Sequence, residues 1–112
     1  METNRTREQA LAFMAALARR DASALLGLFS TSPTYADPSR PGVSRGTDAV
    51  REHLAALCAS LAGARAVMLD ALVDHESACV RWMAELPAPE GHALDAVTWL
   101  RLGDGGIEEA RS

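Results

Sequence analysis

The stretch Thr34-Tyr35-Ala36-Asp37-Pro38 decides how the rest of the chain can fold. Its residues predict a short strand, and Pro38 must end or bend that strand because proline fixes its own φ and has no N–H to donate. Proline also disfavours helical backbone at the preceding Asp37, so Tyr35 and Asp37 point to the same face of an extended run. A phenol and a carboxylate then lie together at the end of a strand. The alternative is that Asp37 only opens an Asp-Pro turn.

Two helices are predicted before this strand. Residues 6–9, Thr-Arg-Glu-Gln, have the form of a capping box, so a first helix is expected to run from Thr6 to about Arg20. Asp21 is expected to cap a shorter second helix. Residues 30–33 are expected to break the chain before the strand.

A third helix is predicted after a loop over residues 39–46 that is rich in proline and glycine. Thr47 is expected to cap this helix, and Gly63 is expected to end it. His53 lies on the shoulder of the apolar stripe of the helix. It is therefore either a half-exposed surface residue or a side chain that reaches the interior.

The second half of the chain changes to the two-residue period of β-strands. Strands are predicted at 65–74, 78–86, 92–102 and 107–112, with tight turns at 75–77 and 103–106. Helices first and antiparallel strands second predict an α+β fold, with three N-terminal helices packed on one face of a curved, mainly antiparallel sheet. The chain of 112 residues suffices for one domain, with a ligand cavity between the helices and the sheet.

Composition limits the classes of function. The net charge of −4 argues against nucleic acid or an anionic membrane as a partner. The chain has no lysine, which excludes a lysine Schiff base or a P-loop lysine. No stretch is apolar enough to span a bilayer and the N-terminus is unlike a signal peptide, so a cytoplasmic location is expected. Cys58 and Cys79 are expected to be reduced, with a single disulfide as the alternative. The histidines lack metal-site spacing, and we expect no metal or cofactor.

Residues 20–54, RDASALLGLFSTSPTYADPSRPGVSRGTDAVREHL, resemble the NTF2-like superfamily. The resemblance is to the branch of bacterial ketosteroid isomerases and SnoaL-like polyketide cyclases. The resemblance rests on the order of elements, which is a helix pair, a strand ending in Asp-Pro, a Pro/Gly loop and a further helix. The ending HALDAVTWLRLGDGGIEE, residues 92–109, matches the strand-turn-strand ending of the family more loosely. The resemblance implies the cone-shaped α+β fold of this superfamily over residues 1–112.

The resemblance also implies a chemistry. The general base of the isomerases falls on Asp37, which would move a proton between carbons next to a carbonyl. Their two donors to the developing enolate fall on Phe13, which has no donor, and on Thr98, which offers only a neutral hydroxyl. Losing one such donor typically costs about 100–1000-fold in rate. As replacements we predict Asp37 and His53 as an acid/base pair, with Tyr35 as a phenolic donor.

The register of the isomerases assigns the faces of the sheet. It places Arg81, Met83 and Thr98 toward the cavity, and Trp82 and Trp99 on the outer face. Two tryptophans would make that face an exposed apolar patch, so a homodimer through it is expected, as in the family. A slip of one residue would reverse the faces. The predicted substrate-binding residues are Phe13, Met14, Arg81, Met83 and Thr98.

The function that the resemblance implies is cofactor-free proton transfer on a small hydrophobic ketone, steroid or polyketide, as in a steroid delta-isomerase or a cyclase. One alternative is a non-catalytic ligand-binding or assembly domain, which this fold also hosts. Another is a limonene-type epoxide hydrolase, whose Tyr-x-polar strand and inward arginine match Tyr35 to Asp37 and Arg81 only loosely.

Overall fold

The computed structural model describes residues 2–38, 41–86, 91 and 93–112. Within these ranges the chain forms three helices and six strands, and the first two strands lie between the second and third helices. The helices are α1 (Glu2–Ala18), α2 (Ala22–Gly27) and α3 (Thr47–Ser60). The strands are β1 (Phe29–Ala36), β2 (Ser44–Arg45), β3 (Arg65–Asp74), β4 (Ser77–Glu85), β5 (Ala93–Gly103) and β6 (Gly106–Arg111).

The strands form one sheet in the order β2-β1-β6-β5-β4-β3. Every neighbouring pair is antiparallel except β1 and β6, which run parallel. Since parallel strands end at the same edge of a sheet, the residues that follow β1 and β6 lie side by side. The N–H of Ser112 donates to the carbonyl of Ala36 at 2.9 Å and fixes this arrangement.

The helices bury their apolar stripes against one face of the sheet. Phe13, Leu17 and Leu54 are fully buried on the helices, and Val80 and Leu100 meet them from the sheet. Each fully buried side chain of this size contributes about 1.5–3 kcal/mol. The predicted α+β class, with three N-terminal helices on a curved and mainly antiparallel sheet, is confirmed.

Two helix boundaries differ from the sequence-based prediction. α1 begins at Glu2 rather than at Thr6, so Thr6 lies inside the helix, where its buried hydroxyl donates to the carbonyl of His75. The N-cap of α3 is Gly46 rather than Thr47, with a φ of 88° that glycine adopts without steric cost. Asp21 is confirmed as the cap of α2, because its carboxylate accepts from the N–H of Ala24 at 3.0 Å.

Three further features differ from the prediction. Residues 30–33 belong to β1 instead of breaking the chain. α3 ends at Ser60, three residues before Gly63. The predicted loop over residues 39–46 contains β2, and its Ser39 and Arg40 lie outside the described residues, as do residues 87–90 and 92. The two cysteines are free, as expected from the sequence.

The face assignment of β4 was wrong. Val80, Trp82 and Ala84 are buried under the helices, whereas Arg81 has a side chain that is 58% exposed and pairs with Asp70 at 3.5 Å. For β5 the assignment was right, because Thr98 is buried and Val97 is exposed. The two assignments were incompatible, since Val80 lies directly opposite Thr98 and opposed residues share a face.

The corrected register of β4 changes the assigned face of three predicted residues. Arg81 and Met83 lie on the outer face of the sheet, away from the helices, and Trp82 lies on the inner face. Trp99 alone of the two tryptophans is on the outer face. Among the helices in the described part of the chain, none is long and apolar enough to cross a membrane.

Candidate functional site

Asp37 follows β1 directly and meets His53 from the middle of α3. The Nε2 atom of His53 lies 2.5 Å from Oδ2 of Asp37, and the two side chains are 2% and 8% exposed. The other ring nitrogen, Nδ1, lies 3.0 Å from the hydroxyl of Ser44 on β2. The structure therefore brings the predicted pair together. The half-exposed alternative for His53 is wrong.

Protein groups occupy both ring nitrogens of His53. Because imidazole has only these two atoms for proton exchange, His53 can exchange a proton with a ligand only through Asp37 or Ser44. Of the pair, Asp37 is thus the group that can take a proton from a substrate directly. His53 holds its carboxylate in place.

Tyr35 packs behind this pair. Its ring meets that of His53 edge-on, with a centroid distance of 4.5 Å. Its hydroxyl lies 3.2 Å from that of Ser112. The pKa of Tyr35 is raised to about 12, chiefly by burial; the hydrogen bond to Ser112 opposes the rise, and the nearby charge of Asp37 contributes to it. The phenol therefore stays protonated at neutral pH, and it points at Ser112.

A chain of hydrogen bonds continues from Ser112 into the sheet. The hydroxyl of Thr98 lies 3.0 Å from that of Ser112, and the indole N–H of Trp82 donates to Thr98 at 2.9 Å. The sequence analysis missed Ser112, Trp82 and Ser44. Alternation along β6 could not have found Ser112, because Ile107 and Ala110 are both buried although they have opposite parity.

Asp37 and Ser112 line one cavity between α3 and the sheet, with a volume of about 340 Å³. This is within the range of small-molecule sites. The groups that line it are mostly apolar, with the carboxylate and the serine hydroxyls among them. The described lining residues are Asp37, Pro38, His53, Ala56, Leu57, Ser60, Trp82 and Ser112.

The predicted substrate-binding residues lie elsewhere. Phe13 and Met14 are core residues with exposures of 0% and 5%, and neither is among the described lining residues. Thr98 is buried behind Ser112, which it contacts. Arg81 and Met83 are on the opposite face of the sheet, because of the reversed register of β4. Within the described ranges, no three His, Cys, Asp or Glu side chains lie close enough to hold a metal ion.

Replacing His53 with phenylalanine tests whether the pair forms in solution. The change keeps an aromatic ring beside Tyr35 but removes both hydrogen bonds, so we expect a loss of about 1–3 kcal/mol in the free energy of unfolding. Urea denaturation measures it. The matched control is His75→Phe, at a side chain that is 79% exposed, with an expected change within about 0.5 kcal/mol. Equal stability of the two variants would show that the contact is not made.

The comparisons with known proteins agree with this architecture. The model of the SnoaL-like domain family matches residues 10–110. No curated protein sequence matches the chain. An NTF2-like protein of unknown function from Mesorhizobium loti superposes with a TM-score of 0.82 at 21% identity, over 99% of this chain and 91% of that one.

Two further solved structures contain ligands. One is a protein with a ketosteroid isomerase-like fold from Catenulispora acidiphila, in complex with trimethylamine, with a TM-score of 0.74, 20% identity, and coverage of 95% and 84%. The other is TerC, co-crystallised with polyporic acid, with a TM-score of 0.75, 21% identity, and coverage of 95% and 88%. At these identities the likeness concerns the fold, and the family follows from the match over residues 10–110. The chain belongs to the SnoaL-like domain family of the NTF2-like superfamily.

Proposed function

We propose that this protein is a cofactor-free acid/base enzyme that moves a proton at a carbon next to a carbonyl group in a hydrophobic substrate. The observation that carries the proposal is the carboxylate of Asp37, held by His53 in the wall of a largely apolar cavity. A carboxylate in such surroundings interacts more strongly with a bound ligand than it would in water.

The proposed step begins with the Asp37 carboxylate taking a proton from the α-carbon. The electron pair of the C–H bond moves into the carbonyl, which becomes an enolate, and Asp37 becomes a neutral acid. The proton on Asp37 then exchanges with water. Return of a proton to the α-carbon reverses the step, whereas return to another carbon of the conjugated system shifts the double bond, and either return restores the carboxylate. With other substrates the same enolate would lead to cyclisation or dehydration.

The cavity supports a ketone, steroid or polyketide as the substrate class. Leu57, Ala56 and Trp82 provide apolar surface in the same cavity as the carboxylate. Two relatives with this fold were crystallised with small organic compounds, trimethylamine and polyporic acid, which is consistent with a ligand site.

The second candidate function is non-catalytic binding of a hydrophobic ligand. It is favoured by Phe13, which has no donor where the isomerases have a tyrosine and which lies in the core. The epoxide hydrolase alternative loses its support, because Arg81 is on the outer face of the sheet.

Deuterium exchange tests the proposed function without knowledge of the natural substrate. A panel of cyclic ketones and 3-ketosteroids would be incubated with the protein in D₂O, and NMR would follow the loss of α-protons. We expect exchange above the buffer rate for the hydrophobic members of the panel. Saturable binding without exchange throughout the panel would favour the non-catalytic function and refute the enzymatic one.

We also propose a homodimer through the outer face of the sheet. Trp82 is not part of this interface, because it lies on the inner face. Leu72 and Val97, which are 77% and 49% exposed, lie with Trp99 on this face beside the Asp70–Arg81 ion pair. A two-fold axis would bury the apolar side chains and let Asp70 of each copy meet Arg81 of the other.

Light scattering after gel filtration measures the state of assembly. We expect about twice the chain mass of 11.9 kDa for the wild type, and the single mass for Leu72→Glu. The control is Leu11→Glu, at a side chain of α1 that is 46% exposed, which should remain dimeric. A monomeric wild type would refute the proposal.

A further inference from the structure

Four side chains in the wall of the cavity and behind it form a continuous hydrogen-bonded chain. The indole of Trp82 donates to Thr98 at 2.9 Å, Thr98 meets Ser112 at 3.0 Å, and Ser112 meets Tyr35 at 3.2 Å. An indole N–H can only donate, so the first bond has a fixed direction. The directions of the other two bonds depend on where the three hydroxyl protons lie.

These protons outnumber the bonds between the hydroxyls. Thr98, Ser112 and Tyr35 each carry one hydroxyl proton, and only two contacts join them. One proton is therefore left over. It belongs to whichever hydroxyl accepts from its neighbours without donating to them.

Burial decides which hydroxyl keeps the spare proton. Thr98 and Tyr35 are each 1% exposed, and within the described ranges their hydroxyls have no further partner. A spare proton on either would be buried without an acceptor, which costs about 1–3 kcal/mol. Ser112 is exposed and lines the cavity. The favoured arrangement has Thr98 and Tyr35 both donating to Ser112, whose own proton is directed into the cavity.

The position of Ser112 suits a role beside the carboxylate. Its N–H donates to the carbonyl of Ala36, the residue before Asp37, at 2.9 Å. Both side chains line the same cavity. A ligand between them would thus meet an acceptor of protons at Asp37 and a donor of a hydrogen bond at Ser112.

We propose that the Ser112 hydroxyl binds the substrate's carbonyl oxygen and stabilises the negative charge that develops on it when Asp37 removes the α-proton. Thr98 and Tyr35 are positioning residues that direct the hydroxyl. This inference rests on the proposed function for its role in a reaction. It assigns to Ser112 the hydrogen bond to the substrate oxygen that neither Phe13 nor Thr98 donates directly. It also narrows the ligand class to hydrophobic molecules that carry an enolisable carbonyl group or an ionisable hydroxyl group.

Binding of 4-nitrophenolate tests the donor separately from turnover. This phenolate resembles an enolate, because its charge lies on an oxygen attached to a flat conjugated system. The titrations use the Asp37→Asn background, whose neutral side chain represents Asp37 after it has taken the proton. Adding Ser112→Ala should weaken phenolate binding about 10–100-fold, the usual effect of losing a hydrogen bond to a charged group. Binding of nitrobenzene, which lacks the phenolate oxygen, should not change.

Ser60 provides the matched control. It lines the same cavity, but its hydroxyl already donates to the carbonyl of Leu57 at 2.7 Å. Ser60→Ala should therefore leave phenolate affinity unchanged. Thr98→Val should weaken phenolate binding less than Ser112→Ala does, and Thr98→Ser should restore it.

The outcomes separate this inference from the proposed function. Equal phenolate affinity with and without the Ser112 hydroxyl, in folded variants, would overturn the inference even if the wild type exchanges α-protons. An equal loss for phenolate and nitrobenzene would also overturn it, because it would indicate altered packing. A selective loss of phenolate affinity would support the oxygen site even in a protein that fails the exchange assay.

Discussion

Replacing Asp37 with asparagine should reduce α-proton exchange by about 100–10,000-fold, the contribution typical of a positioned general base. The amide of asparagine has no basic lone pair that can take a proton from carbon. Its oxygen can still accept the hydrogen bond from Nε2 of His53, so we expect the free energy of unfolding to change by no more than about 1 kcal/mol. NMR exchange rates and urea denaturation of the same preparations measure the two effects.

The design separates a catalytic role from a structural one. Asp48→Asn is the matched control, because the side chain of Asp48 is 96% exposed in the first turn of α3, and it should leave exchange unchanged. If Asp37→Asn instead unfolds the protein while the residual folded fraction exchanges protons at the normal rate, Asp37 opens the turn at Pro38 and does no chemistry. Equal exchange by wild type and Asp37→Asn would remove Asp37 from the mechanism.

The local sequence could place Asp37, but it could not reveal the strand beside it. Pro38 ends β1 for a covalent reason, so the position of Asp37 at a strand end follows from neighbouring residues alone. The parallel partner β6 is more than 70 residues away in the chain. No local pattern indicates that β6 pairs with β1 as well as with β5. Ser112 therefore remained outside the predicted site, although a strand over residues 107–112 was predicted.

Pairing also explains the missed first half of β1. Residues 30–33 contain serine and proline, which favour turns, and this composition led to the predicted break. In the fold, Phe29 pairs with Ile107 on β6, and the carbonyl of Pro33 accepts from the N–H of Gly46 at 2.9 Å. These contacts from distant parts of the chain outweigh the local preference.

The error in β4 had a different origin. The register that the resemblance to the isomerases implies does not hold in β4, where the buried set of Val80, Trp82 and Ala84 is the more apolar of the two alternating sets. Hydrophobic alternation within the strand was the better guide to the faces, because burial of one face specifies the register of a strand. The consequence for the site is large, since Trp82 lines the cavity and Arg81 does not.

The two tryptophans offer the sharpest test of this register. Trp82 is 5% exposed on the inner face, so Trp82→Ala should lower the free energy of unfolding by about 3–5 kcal/mol, through lost burial and the cavity left behind. Trp99 is half-buried on the outer face, so Trp99→Ala should cost about 1 kcal/mol or less in a monomer. Urea denaturation followed by circular dichroism measures both, at a concentration where gel filtration shows each variant to be monomeric.

Fluorescence of the two single-tryptophan variants gives an independent measurement of the same faces, because the chain contains only these two tryptophans. In Trp99→Phe the remaining Trp82 should emit at short wavelength and resist quenching by iodide, since its indole is buried and donates to Thr98. In Trp82→Phe the remaining Trp99 should be quenched more readily. Strong quenching of Trp82, together with a small cost for Trp82→Ala, would place this residue on the outer face. The hydroxyl chain to Ser112 would then lose its first donor, and the cavity would lose one of its walls.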